Sequence, residues 1–151
     1  MAKDAGERSA NHDKAQAGDP KAQYEMGMSW CCQIGGVVGA PIYDNEKATD
    51  WLCKAARQDY GPAQLALARI YSGRVRKGGL KQMVVSSIAP GPKNLATALM
   101  WANLAKSHEI RGAADLQAEI EKTATPAERA EAKRLGSDWR AAPCTWRQVF
   151  D

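Results

Sequence analysis

Apolar residues recur at helical spacing along most of the chain. Behind the pair Asp19-Pro20, a capping side chain followed by proline at the first helical position, Ala22, Met26 and Trp30 lie on every fourth position. Similar apolar stripes follow in segments that begin near Asp44, Gly61, Asn94, Ile110 and Thr125. No convincing strand interrupts them, because the nearest candidate, at Val84-Val85, has no obvious partner. The pattern predicts an all-α fold.

The helical segments are related to one another. Placing Gln23 on Gln64 also places Trp30 on Tyr71, and placing Trp51 on Trp101 aligns further alanines. Small residues allow helix backbones to approach closely, and a large residue fills the groove of the next helix, so the pattern predicts stacked helical hairpins. We expect Trp51 and Trp101 to be largely buried between hairpins. The predicted structural positions are Ala22, Gly27, Ala48, Trp51, Ala55, Ala63, Leu67, Tyr71, Ala98, Trp101 and Ala105.

The segments AGDPKAQYEMG, NEKATDWLCKAARQDYGPAQLALARIYSG and NLATALMWANLA resemble the Sel-one-like repeat family, a relative of tetratricopeptide repeats. The resemblance covers about Ala15 to Trp139 and weakens in the third repeat, where Ala113-Ala114 replaces alanine-glutamine. It implies a right-handed α-solenoid of antiparallel hairpins, with about six to seven helices and a capping helix at each end. The expected divisions are one domain over 1–140, with repeats at about 20–60 and 61–108, a degraded repeat at 109–124 and a cap at 125–140, and then a tail over 141–151.

Two hairpin loops are longer than the family pattern, Gly35 to Tyr43 and Arg74 to Lys93. Loops of the second length inside a compact domain are uncommon and are often functional. The second loop holds five basic residues and no acidic one, whereas the whole chain has a net charge of +4. The basic character of the protein is therefore concentrated in one loop.

In a hairpin solenoid these two loops emerge on the same edge and are expected to be neighbours. Together they combine apolar residues with a basic rim, the composition of a site that binds a protein with an acidic surface. The competing interpretations are binding on the concave face, and loops that only cover the ends of their own helices. The predicted partner-binding residues are Val37, Val38, Ile42, Tyr43, Arg74, Arg76, Lys77, Lys81, Val84 and Val85.

The resemblance implies a non-enzymatic adaptor, a scaffold, or an immunity protein that neutralises a secreted effector. His12 lies in a terminal segment and His108 at a helix end, and no catalytic motif or metal-ligand spacing accompanies them, so neither an enzyme nor a cofactor is predicted. Two alternatives stay open: the cell-wall or antibiotic hydrolysis suggested for cysteine-rich relatives, and binding of anionic membranes or nucleic acid by the basic loop. We expect a monomer without a membrane span, and no nucleic acid is expected as the partner. The N-terminus shows no signal peptide, and the family slightly favours a periplasmic or secreted location with a leader removed over a cytoplasmic one.

The C-terminal segment APCTWRQVFD has aromatic residues at helical spacing. Trp146 and Phe150 are four residues apart, so a short helix places both on one face, and we expect the tail to fold back onto the helices, with the concave groove as one possible place. Adjacent cysteines rarely pair. In an antiparallel hairpin, Cys53 is offset along the helix axis by roughly 10 Å from the cysteines that end the first helix, so these are not expected to pair either. Any disulfide is therefore expected to use Cys144, paired with Cys31, Cys32 or Cys53.

Overall fold

The computed structural model describes residues 11–31, 44–73 and 92–151. Every regular element in these ranges is a helix, and they contain no strand, so the predicted all-α class is confirmed. Residues 11–16 are helical and precede α1. The elements are α1 (Pro20–Cys31), α2 (Asn45–Ala56), α3 (Gly61–Tyr71), α4 (Leu95–Ser107), α5 (Ala113–Thr123), α6 (Pro126–Gly136), a 3-10 turn (Trp139–Ala141) and α7 (Trp146–Phe150).

The helix starts follow the capping residues predicted from the sequence. The side chains of Asp44 and Asn94 accept hydrogen bonds from the backbone N–H three residues ahead, at 3.0 and 3.1 Å. Thr125 and Glu128 form the predicted capping box at the start of α6. That helix ends at Gly136, several residues before the predicted end, because the chain turns there into the short 3-10 segment.

Three helix ends share one turn. Gly18, Asp59 and Glu109 have left-handed backbone conformations, with φ of 105°, 63° and 57°. Each N–H donates to the carbonyl three residues earlier, at 3.1, 3.0 and 2.9 Å, and the following N–H donates to the carbonyl five residues before it. This is the Schellman arrangement, which satisfies carbonyl groups at a helix end. The two sequence shifts place these three positions on one another, so the repeated pattern corresponds to a repeated turn.

Two buried glutamines reinforce the same turn. Gln23 donates from Nε2 to the carbonyl of Ala15 at 3.0 Å, and Gln64 donates to the carbonyl of Ala56 at 3.2 Å. Each acceptor lies eight residues upstream, at the end of the preceding helix. Each glutamine side chain therefore hydrogen-bonds a carbonyl group at the C-terminal end of the helix that precedes the turn.

The helices pack mainly against their neighbours in sequence. Helix α1 packs on α2, α2 on α3, and α3 on α4, while α4 also contacts α5 and α6. Helix α3 is central, and Arg69 is its only exposed residue. None of the helices in the described ranges is long and apolar enough to cross a membrane.

The alanine-rich positions form the core, as expected. Gly27 lies where α1 meets α2, and a Cβ atom there would come within 2.6 Å of Cγ of Leu52 and 3.0 Å of a backbone oxygen of α2. The residues at the predicted structural positions are buried except for Trp51, namely Ala22, Gly27, Ala48, Ala55, Ala63, Leu67, Tyr71, Ala98, Trp101 and Ala105.

Trp101 is fully buried, and Trp51 is buried less completely, with part of its side chain exposed. The Trp51 ring lies edge-on to His12, with the ring centroids 5.8 Å apart, and Lys54 covers its face. Trp101 instead has Trp139 of the 3-10 turn against it, at 6.2 Å between ring centroids. The two tryptophans align in sequence, but Trp51 is covered by His12 and Lys54, whereas Trp101 packs against a second tryptophan.

Candidate functional site

Both long loops leave the helices through the same kind of stem. The backbone N–H of Asp44 donates to the carbonyl of Trp30 at 3.0 Å, and that of Asn94 donates to the carbonyl of Tyr71 at 2.8 Å. The first pair joins the end of α1 to the start of α2, and the second joins the end of α3 to the start of α4. Because α2 and α3 are connected by a tight turn at their opposite ends, both stems lie on one side of the protein. We call this side the loop edge, defined by Trp30, Asp44, Tyr71 and Asn94.

The partner-binding residues predicted from the sequence belong to the two loops that start at these stems. They lie outside the described residues: Val37, Val38, Ile42, Tyr43, Arg74, Arg76, Lys77, Lys81, Val84 and Val85. Of the five basic residues of the second loop, Lys93 is described, and it is exposed beside Gly73. The stems therefore give the positions from which the predicted site begins.

The C-terminal segment, residues 141–151, folds back onto α2, as predicted. Cys144 forms a disulfide with Cys53 near the middle of α2, with the two Cα atoms 5.8 Å apart. Both cysteines are buried, and no cysteine in the described ranges is a free thiol. The prediction that Cys144 forms a disulfide is confirmed, but Cys31 is also disulfide-bonded, so the prediction that any disulfide would use Cys144 is wrong for that second bond.

Side chains of α2 and α3 hold the backbone of the C-terminal segment at alternate residues. Arg57 donates to the carbonyl of Ala142 at 3.3 Å, and the hydroxyl of Tyr71 donates to the carbonyl of Cys144. The N–H of Trp146 donates to Oγ1 of Thr49 at 2.8 Å. The contacts proceed from the end of α2 towards its start, so the segment runs antiparallel to α2. We call this surface the tail groove, defined by Thr49, Cys53, Arg57 and Tyr71.

The last turn of the chain ends at the loop edge. Trp146 and Phe150 share one face of α7, with ring centroids 4.4 Å apart, and Tyr71 lies 6.3 and 5.8 Å from these two rings. Arg147 forms an exposed ion pair with Glu46 in the first turn of α2, at 3.0 Å. Burial raises the pKa of the Tyr71 hydroxyl above its ordinary value, so this group remains a hydrogen-bond donor at neutral pH.

A cavity of about 320 Å³ lies beside the tail groove, between α4, α6 and the C-terminal segment. Leu135 and Val149 contribute apolar walls, and Asn94 places the cavity next to the second loop stem. Glu131 and Arg134 form an ion pair at the rim. A space of this size with apolar walls and a polar rim can hold one large side chain of a bound protein.

The opposite edge carries a histidine that the sequence interpretation treated as solvated. His108 contacts Oδ1 of Asp59 through Nε2 at 2.8 Å, and Gln64 donates to the same oxygen at 3.0 Å. Partial burial tends to raise the pKa of Asp59, but the hydrogen bonds from His108 and Gln64 outweigh it and the pKa is lowered. Within the described ranges no hydroxyl or thiol is hydrogen-bonded to the His108 ring, so the contact joins two helix ends and does not assemble a nucleophile.

The sequence interpretation missed the tail groove. Its signal was the spacing of Thr49, Cys53 and Arg57, which puts three side chains able to bond a backbone or a sulfur on one stripe of α2. That spacing did not identify what they bind, because Thr49 and Arg57 contact backbone atoms of the segment and the one side-chain acceptor, Oε1 of Gln148, lies 91 residues beyond Arg57. No protein-family model matches the chain, and no curated protein matches it significantly.

Proposed function

We propose that this chain is a non-enzymatic protein-binding module of the Sel-one-like repeat type, and that a protein with an acidic surface docks at its loop edge. The observation that carries the proposal is the equivalence of the two loop stems. Two hairpins hold long insertions at the same structural position and on the same side. Binding residues are often carried on loops that a rigid scaffold positions in this way.

The burial of α3 favours the loop edge over a concave face. In a stack of hairpins the concave surface is lined by the first helix of each pair, which here means α1, α3 and α5. Helix α3 exposes only Arg69, so the middle of such a surface offers a partner a single side chain. The edge instead combines the two loops, the aromatic end of the chain and the cavity beside Asn94.

The charge of the second loop indicates the kind of partner. Its five basic residues exceed the net charge of the whole chain, and Lys93, at the base of the loop, is exposed. Such a concentration attracts a negatively charged surface and raises the rate of encounter, while the apolar residues of both loops supply area to bury. A partner with an acidic rim around an apolar centre fits this composition.

The test compares two sets of four charge reversals in the full chain. The first set replaces Arg74, Arg76, Lys77 and Lys81 by glutamate. The matched control replaces Lys14, Lys21, Lys106 and Arg111, which are exposed and flank the turns at Gly18 and Glu109 on the opposite edge. Affinity for the protein that copurifies with the wild-type chain is measured by calorimetry at two salt concentrations.

We expect the first set to weaken binding about tenfold or more and to reduce its salt dependence, because the rim charges act mainly on the rate of association. The control set should bind like the wild type. Unchanged affinity of the first set, with a circular dichroism spectrum and Tm like those of the wild type, would refute the proposal. Binding of the wild-type chain to anionic vesicles or single-stranded RNA, with no protein copurifying, would favour the alternatives instead.

A further inference from the structure

We propose that the tail groove is a peptide-binding groove and that it accepts the C-terminal segment of a second copy of this chain in place of its own. The groove is defined by Thr49, Cys53, Arg57 and Tyr71. The proposal does not require a partner at the loop edge, although the segment that exchanges also lines the cavity there. It assigns to this surface a segment-exchanged dimer, closed by an intermolecular bond between Cys53 and Cys144.

The groove recognises the backbone of an extended peptide. Its three hydrogen-bonding side chains contact residues 142, 144 and 146, which alternate along the segment. In an extended chain alternate residues face the same side, so the groove holds one side of the segment. Hydrogen bonds of this kind do not depend on whether the segment is covalently continuous with the groove.

The segment also has structure of its own, which suits it to move as a unit. Oε1 of Gln148 accepts hydrogen bonds from the N–H groups of Cys144 and Thr145, at 3.0 and 3.1 Å, and the Thr145 hydroxyl accepts from the N–H of Gln148. These bonds form the capping box of α7. The aromatic pair of α7 is half-buried against the groove and presents the same face to any copy of it.

The hinge for exchange lies directly after Trp139, whose ring packs on Trp101. Only Arg140 and Ala141 separate this anchor from Ala142, the first residue that the groove holds, and the three steps span at most about 11 Å. Exchange therefore requires two copies to meet with their tail grooves facing each other. All contacts of the segment are then preserved, so the balance between monomer and dimer is set by concentration rather than by new interactions.

The covalent step balances with oxidised glutathione as the oxidant. The thiolate of Cys53 in one copy first attacks glutathione disulfide, which gives a mixed disulfide and releases one glutathione thiolate. The thiolate of Cys144 from the other copy then attacks the Cys53 sulfur. The new S–S bond forms between the copies as the second glutathione thiolate leaves.

The test mixes two full-length variants, Cys53→Ser and Cys144→Ser, in a glutathione redox buffer. The first retains Cys144 and the second retains Cys53, so a bond between these residues can form only between chains. We expect a covalent heterodimer on a non-reducing gel, with the Cys53–Cys144 peptide pair identified by mass spectrometry. Adding Thr49→Val to the Cys144→Ser chain should lower the yield several-fold, whereas Ser29→Ala, an exposed control, should leave it unchanged.

Absence of the heterodimer, or a heterodimer linked only through other cysteines, would overturn the proposal. A second measurement removes dependence on the variants. Wild-type chains with and without ¹⁵N are reduced, mixed and reoxidised at increasing concentration, and the fraction of Cys53–Cys144 peptides that join the two isotopes is measured. We expect this fraction to rise as the concentration approaches about 1 mM, the effective concentration of a short tether. A fraction that stays at zero at that concentration excludes exchange.

Discussion

Removing the disulfide between Cys53 and Cys144 tests how the C-terminal segment stabilises the fold. The bond closes a loop across a sequence separation of 91 residues. Chain-entropy arguments give about 4–5 kcal/mol of stabilisation for a loop of that size, through the restriction of the unfolded state. The free energy of unfolding of a small domain is about 5–15 kcal/mol. The double variant Cys53→Ala/Cys144→Ala should therefore lose a large share of its stability.

The folded state of this variant should still hold its C-terminal segment. The hydrogen bonds of the tail groove and the aromatic cluster on Tyr71 do not involve the sulfur atoms. Urea unfolding followed by circular dichroism should therefore show a lower midpoint and a somewhat larger m value, because the unfolded chain expands without its crosslink. Each single variant should lose about as much as the double variant, since either one removes the whole bond.

A loss below about 1 kcal/mol in the double variant would refute the loop-closure reasoning. It would mean that the unfolded chain is already compact near these residues, or that the bond strains the folded state enough to offset its entropic effect. Proteolysis tests separately whether the C-terminal segment stays bound without the disulfide. If the C-terminal segment of the variant is cleaved rapidly under native conditions, the hydrogen bonds of the tail groove are too weak to hold it without the disulfide.

Three further outcomes follow from the packing. Gly27→Ala should destabilise the fold by about 1–2 kcal/mol in urea unfolding, because the added Cβ meets Leu52 at 2.6 Å, whereas Gly136→Ala, whose Cβ meets nothing nearer than 3.9 Å, should gain up to about 1 kcal/mol. Thr125→Ala removes the capping box of α6 and should lower the unfolding free energy by about 1 kcal/mol, which serine at the same position should largely restore. The pKa of Asp59 is lowered in the folded state, so its ionised carboxylate stabilises the fold at pH values above its ordinary pKa of 3.8. This stabilisation is lost as the pH falls through the pKa of the folded state, so Asp59→Asn should flatten the decline in Tm below about pH 4.

The helices and their turns could be predicted because their signals are local. Capping side chains at Asp44 and Asn94 and the capping box at Thr125 specify helix starts through bonds to residues three positions away. The unequal burial of Trp51 and Trp101 could not be predicted in this way. The shift that aligns Trp51 with Trp101 gives the position of each ring on its helix, but not which neighbour covers it. Burial of Trp101 depends on elements far along the chain, and the sequence does not show which ones return.

The tail groove illustrates a second limit. The aromatic spacing of Trp146 and Phe150 predicted a helix that folds back, and the structure contains it. Its place on α2 depends on bonds from Thr49, Arg57 and Tyr71 to backbone atoms, and every residue of a chain offers the same backbone groups. These backbone bonds leave no mark in the recognised sequence, and the side-chain contacts that accompany them, from Arg57 to Gln148 and from Tyr71 to the aromatic pair, do not by themselves identify α2. The disulfide partner of Cys144 was for that reason undecided among three cysteines.

The loop stems explain why this edge can carry long insertions without loss of the helical packing. In each hairpin one backbone hydrogen bond joins the residue before the loop to the residue after it, Trp30 to Asp44 in the first and Tyr71 to Asn94 in the second. The side chain of Asp44 or Asn94 then caps the next helix. The helices therefore meet the same geometry whatever lies between the stem residues. The entropic cost of closing a loop grows slowly, by about 0.6 kcal/mol for each doubling of its length. A change in the length of the chain between two stem residues is therefore expected to cost little stability, as long as the stem hydrogen bond and the capping side chain are kept.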